Sequence, residues 1–166
     1  MRSPWGLNMH EHQNPMTGIR ILEEQLAEGF VMKRVPFTDN IYMIKDHPLG
    51  GLRYTYAKRD KKKVDHLVSF DMNAPFNGKP CFCLFYGTKE HLRNKGLTVK
   101  FIEQTIELFK KELPKKYRPF YIEALIEQDI KESLGVATKL FGEKTTSGVC
   151  ERTGAATDIW QIEYID

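Results

Sequence analysis

The sequence predicts a single α/β (α+β) domain with a mixed, mostly antiparallel central sheet flanked by helices. Three observations carry that expectation. Segments of two-residue apolar period alternate with segments of helical period along the chain. One apolar run, Cys81-Phe82-Cys83-Leu84-Phe85-Tyr86, is continuous, as in a central strand covered on both faces. The strongest amphipathic helix, Leu97 to Leu113, follows it. With 166 residues, 41% hydrophobic and 28% charged, the chain suits one core rather than a disordered segment.

Residues 1–16 read as an N-terminal tail and residues 17–166 as the domain. Trp5 and Leu7 stand in the tail among His, Asn and Pro, without the apolar core of a signal peptide. Thr17 is expected to cap a helix from Ile19 to Val35, with Ile19, Leu22, Leu26, Phe30 and Val31 inward and Pro36 as its stop. Asn40 to Asp46 is a short strand. Leu52 to Lys58 and Val64 to Phe70 form a hairpin turning at Arg59 to Lys63, and Asn73 to Pro80 is a break. In the main helix Leu97, Phe101, Ile102, Thr105, Leu108, Phe109 and Leu113 make one stripe, ended by Pro114. Phe120 to Ile126 is a strand. Asp129 is expected to cap a helix running to Phe141, with Gly142 closing it. A hairpin of Thr145 to Arg152 and Thr157 to Ile165 ends the chain.

Composition narrows the function classes. No apolar run reaches the roughly 20 residues that cross a bilayer, so no membrane partner and a cytoplasmic location are expected. Three cysteines, with no C-x-x-C pair, do not make a disulfide framework or a zinc site. Cys81 and Cys83 read as small buried hydrophobes. The five histidines are scattered, so no metal is expected. A net charge of +3 is compatible with an anionic ligand and falls short of a nucleic-acid binder's surface. The cluster Lys58 to Lys63 reads as a solvated hairpin turn.

The segment with most chemistry is His91-Leu92-Arg93-Asn94-Lys95-Gly96-Leu97-Thr98. A strand enters a short basic loop with one glycine, which opens directly into the main helix. Free N–H groups and the positive dipole end of the helix can cradle a pyrophosphate. Glycine permits close approach, and Arg93 and Lys95 add charge. This loop resembles the R-x-x-G-x-G/A motif of the Gcn5-related N-acetyltransferases. Arg93 and Gly96 match, and Thr98 replaces the final small residue. The order of elements from Lys79 to Ile165 is also similar to that family's, over roughly the C-terminal two-thirds of the chain.

The resemblance implies an acyl-coenzyme A site and a reaction. Acetyl-CoA is the implied donor, bound by Arg93, Asn94, Lys95, Gly96, Leu97 and Thr98. Phe85, Tyr86 and Thr88 would lie along the pantetheine arm, and Ser133 matches the family's second-helix segment. The implied function is transfer of an acetyl group to a primary amine by direct attack, the acceptor being a small molecule or a protein. The alternative is a catalytically inactive module of this fold acting through protein or nucleic-acid contacts; a homodimer fits either. The departures are specific. Ile130 stands where Asn is usual, Ala137 where a thiolate-protonating Tyr is common, and Phe141-Gly142 reverses the usual order. One helix precedes the strands where the family places a pair between its first two. Proton removal from the amine needs a base. Glu123, an acid in an apolar strand, is the first candidate. His66 and Asp71 follow, though each reads more simply as a surface residue. Tyr86, Tyr164 and Cys150 are the replacement acids.

Overall fold

The computed structural model describes residues 15–150 and 153–166. In chain order its elements are α1 (Pro15–Ala27), β1 (Lys33–Arg34), β2 (Ile41–Asp46), β3 (Arg53–Asp60), β4 (Lys63–Phe76), β5 (Lys79–Thr88), α2 (Leu97–Glu112), β6 (Phe120–Glu127), α3 (Lys131–Phe141), β7 (Thr146–Val149) and β8 (Ala156–Tyr164). The strand order is β1-β2-β3-β4-β5-β6-β8-β7. β1 with β2, β2 with β3, β3 with β4, β6 with β8 and β7 with β8 pair antiparallel. β5 and β6 pair in parallel, Cys81–Cys83 against Tyr121–Glu123, as a helical crossover through α2 requires. The sheet is therefore mixed and mostly antiparallel. No helix among the described residues is long and apolar enough to cross a membrane.

The chain divides into two compact units. The first holds residues up to Asp71 together with Phe85–Thr105, and the second holds Met72–Leu84 with Ile106–Asp166. β4, β5 and α2 contribute to both.

In the first unit the period-two alternation of β3 and β4 separates two faces. Ala57 and Leu67 stand opposite each other in the register and share one face. Onto that face α1 packs Ile19, Leu22 and Leu26, joined by Met32 and Val64. Burying each large apolar side chain contributes about 1.5–3 kcal/mol. The helix approaches closely, since a Cβ on Gly18 would lie 3.1 Å from the Leu67 side chain. On the other face Tyr54, Tyr56, Val68 and Phe70 are buried, with the Tyr56 and Phe70 rings edge to face at 6.1 Å.

In the second unit the core is aromatic. Phe82 of β5, Phe109 of α2 and Phe120 of β6 meet edge to face at 5.0, 6.0 and 5.6 Å. Tyr164 of β8 stacks on Phe120 at 5.5 Å. Trp160 is buried and donates from Nε1 to the Gly142 carbonyl at 3.0 Å. Gly142 closes α3 at φ 77°, a conformation that favours glycine.

Several boundaries differ from the expected ones. α1 begins at Pro15 and ends at Ala27, so Thr17 is inside it and Lys33–Arg34 is a strand rather than the end of a long helix. Gly29 at φ 100° turns the chain away, and Val31 is 80% exposed. β4 continues through Asn73, Ala74 and Pro75, so the expected break shrinks to a two-residue turn at Asn77 and Gly78, both at positive φ. The hairpin of β3 and β4 likewise turns at Lys61 and Lys62 alone. In α2 Ile106 is buried and Leu108 is only half-buried, while Leu97 is exposed. Ile130, not Asp129, is the N-cap of α3, and no side chain caps it. Residues 1–14 of the expected tail, and Glu151 and Arg152, lie outside the described residues.

Candidate functional site

The loop between β5 and α2 belongs to the first unit. β5 ends at Thr88, a single 3-10 turn covers Glu90–Leu92, and Asn94 and Gly96 both take positive φ, 61° and 73°. This pair of left-handed residues folds the chain sharply into α2. Gly96 supplies the first helical carbonyl, to Lys100 N. A glycine at the cap has no side chain to satisfy the N–H groups of the first turn, and that turn carries no acid. The helix start therefore presents backbone donors and a positive dipole end. Asn94, Lys95 and Gly96 are exposed and Arg93 is half-buried. Arg93 Nε donates to the Thr88 carbonyl at 3.0 Å, using one of the five N–H donors of its guanidinium.

Behind this loop lies a string of hydrogen bonds. His66 Nδ1 is 2.9 Å from Thr88 Oγ1, which is 2.7 Å from Thr98 Oγ1 in the first turn of α2. His66 is 4% exposed and its ring lies 5.2 Å from that of Phe101. The expected surface position for His66 is thus overturned, because α2 covers it. Burial holds the ring below its ordinary pKa; Asp65 opposes this and Lys58 adds to it. Lys89 pairs with Glu23 of α1 at 2.7 Å, and the same Glu23 oxygen accepts from Val64 N at 3.0 Å.

Asp71 is also buried rather than on the surface, at 6% exposure. It stands opposite Arg53 in the register of β3 and β4, with Thr55 opposite Ser69 two residues along on the same face. Arg53 is 1% exposed and forks onto Asp46, Nε to Oδ1 at 2.9 Å and Nη2 to Oδ2 at 2.5 Å. Ser69 donates to Asp71 Oδ1. Thr55 Oγ1 is buried without a hydrogen-bond partner among the described residues. Burial pushes the Asp71 carboxyl up to about 6, against Ser69 and Arg53, which lower it. Arg53, Thr55 and Ser69 were legible as candidates only through alternation: Arg53-Thr55-Ala57 and Leu67-Ser69-Asp71 each line one face.

Glu123 and Ser133 belong to the second unit, in β6 and the first turn of α3. Glu123 is half-buried beside Cys83 and opposite Gln161, whose Nε2 donates to its Oε2 at 2.8 Å. Burial, with Glu123 adding to it, pushes the Cys81 thiol up to about 12. Burial likewise pushes the Tyr164 phenol up to about 12. Ala137 is fully buried. Phe85 and Tyr86 are half-buried in the part of β5 that belongs to the first unit, and Leu97 heads α2. In the lysine cluster, Lys58 pairs with Asp39 at 3.5 Å and Arg59 lies 3.7 Å over the Tyr42 ring.

No family model and no curated protein matches the sequence. Solved structures do match in fold. A ribosomal-protein-S5-alanine acetyltransferase from Vibrio fischeri is 13% identical with a TM-score of 0.53, over 94% of this chain and 89% of that one. RimL, a ribosomal L7/L12 α-N-protein acetyltransferase, in complex with coenzyme A is 13% identical with a TM-score of 0.51, over 69% of this chain and 63% of its own. Arabidopsis thaliana Naa50, in complex with the bisubstrate analogue CoA-Ac-MVNAL, is 10% identical with a TM-score of 0.50, over 66% and 72%. The chain spans 61% of apo RimL. The fold is that of the Gcn5-related N-acetyltransferases.

Proposed function

We propose that this chain binds acetyl-CoA at the Arg93–Thr98 loop and transfers its acetyl group to a primary amine. The observation that carries this reading is the start of α2: a glycine cap at φ 73°, no acid in the first turn, and Arg93 and Lys95 alongside. Those features fit a pyrophosphate, which needs donors, positive potential and room for close approach. That the structural matches include complexes with CoA and a CoA analogue supports the choice of anion. Bound there, acetyl-CoA supplies an acyl thioester.

Geometry within the first unit favours one base. CoA places about a dozen covalent bonds between pyrophosphate and sulfur, matching about four extended residues or roughly 14 Å. Along β4, the strand beside β5, the step from His66 to Asp71 covers about five residues, or roughly 17 Å. Asp71 therefore lies about one arm's length along β4 from His66, with its side chain on the opposite face of the strand. Its carboxyl near 6 suits a group that is ionised at neutral pH yet basic enough to accept a proton. In this reading the Asp71 carboxylate takes the ammonium proton, the neutral amine forms the new C–N bond as the C–S bond breaks, and the second N–H proton passes to the departing thiolate through solvent. Ala137 offers no proton, so the thiolate departs without an acid at that position. Glu123 is the second candidate, as a carboxylate next to Cys83.

The first test is thermal. Acetyl-CoA at 100 times its dissociation constant should add about 2.7 kcal/mol of stability. Arg93→Glu should remove most of that gain while the unliganded protein melts as before. The second test is amine-dependent release of CoA, with turnover rising as pH passes through about 6. Asp71→Asn should abolish the rise and keep CoA affinity. If Glu123→Gln does so instead, the base is Glu123. If CoA binds but no amine releases it, the chain is the binding module.

A further inference from the structure

The string from His66 to Thr98 has a direction that heavy-atom geometry leaves as two states. If His66 Nδ1 accepts, Thr88 donates to it, Thr98 donates to Thr88, and the lone pairs of Thr98 face outward. If Nδ1 donates, the Thr88 O–H is left free to donate to Thr98, which releases the Thr98 O–H to donate outward. Only the second state suits an ionised phosphate, whose oxygens accept. Nδ1 is the ring's one hydrogen-bonded nitrogen among the described residues, so the string passes through Nδ1. A ring held neutral by burial has a single proton to place, and Phe101 packs against its plane.

We propose that His66 is a positioning residue: protonated on Nδ1, it donates to Thr88 and so turns the Thr98 hydroxyl outward as a hydrogen-bond donor to a pyrophosphate oxygen. The inference rests on the acyl-CoA reading. It also accounts for a threonine where the resembled motif has Gly or Ala: the site gains a directed donor.

The experiment measures the affinity of the protein for CoA and, separately, for inorganic pyrophosphate by calorimetry. Thr98→Val should weaken both about 10-fold or more, as for the loss of one hydrogen bond to a charged group. His66→Phe keeps the ring packing and should weaken CoA about 5-fold, on the same argument for a misdirected donor. His66→Asn, which can donate from a similar place, should stay within about 2-fold, below the worth of one hydrogen bond. The double variant His66→Phe/Thr98→Val should be no weaker than Thr98→Val, because both act through one hydroxyl. Nitrogen-15 spectra of the histidine rings should place the His66 proton on Nδ1. If His66→Phe does not fold, Thr88→Val breaks the same string and carries the same expectation. The inference is overturned by a proton on Nε2, by equal weakening in His66→Phe and His66→Asn, or by an unchanged Thr98→Val. A wild-type protein that binds CoA while Thr98→Val matches it would sink the inference and leave the acyl-CoA reading standing. Binding of pyrophosphate without CoA would sink that reading, and the same variants would still decide the inference. Binding of neither sinks both.

Discussion

The two units differ in how many polar side chains they bury. Of the buried polar or charged residues described, Arg53, Thr55, His66, Ser69, Asp71, Thr88 and Thr105 lie in the first unit and Thr157 alone in the second. Both units bury aromatic rings, Tyr54, Tyr56, Phe70 and Phe101 in the first and Phe82, Phe109, Phe120 and Trp160 in the second, where Tyr164 stacks on Phe120. Apolar burial stabilises without direction, whereas buried polar groups need partners and lose stability when one is missing. The contrast teaches where the perturbed polar groups sit: the first unit carries the loop with Asn94 and Gly96 at positive φ, the Arg53–Asp46 pair, the Thr55 hydroxyl that has no partner among the described residues, and the raised Asp71. The second carries the close-packed rings.

The largest expected effect breaks the apolar side of the comparison. Phe120 is fully buried and touches Phe82, Phe109 and Tyr164. Phe120→Ala should cost about 3–5 kcal/mol in a denaturant melt. A loss below about 1 kcal/mol would mean that the cluster is not the support of that unit.

A somewhat smaller effect sharpens the polar side. The Asp71 carboxyl is raised from 3.8 to about 6 in the folded protein, so between those values the folded state holds the extra proton. The stability tied to this group is complete below about pH 4 and falls as pH rises through about 6, by roughly 3 kcal/mol at most. Melts across that window should show wild type losing stability relative to Asp71→Asn. A constant difference between the two proteins would mean that Asp71 titrates normally.

The smallest effect uses one backbone feature found in both units. Gly96 and Gly142 hold φ of 73° and 77°, and a Cβ on either meets nothing within 4 Å. Alanine at each should cost about 1 kcal/mol from backbone strain alone. Only Gly96→Ala should also weaken CoA binding, because only its backbone faces the proposed ligand. Equal CoA affinity in the two variants would remove the loop from the site.

Sequence by itself determined most of the elements and the position of the loop. Period-two alternation in β3 and β4, the apolar run of β5 and the stripe of α2 are local, since a strand or helix presents its faces by its own geometry. Arg93 and Gly96 were legible because a glycine before a helix, flanked by cations, is a local arrangement. So was the pairing of residues on faces: Leu67, Ser69 and Asp71 must point one way and His66, Val68 and Phe70 the other. What alternation does not state is which faces are covered. His66 and Asp71 read as surface residues because polar side chains usually are. Tertiary structure decided otherwise, by packing α2 over His66 through Phe101 and by setting Arg53 across from Asp71. It also extended β4 past Asn73 and Pro75, where a strand partner outweighs weak local preference. Burial then changed the chemistry. A carboxyl in water titrates near 4, and the same group removed from water holds its proton to about 6. That shift belongs to the packing, because desolvation depends on neighbours drawn from strands and helices distant in the chain.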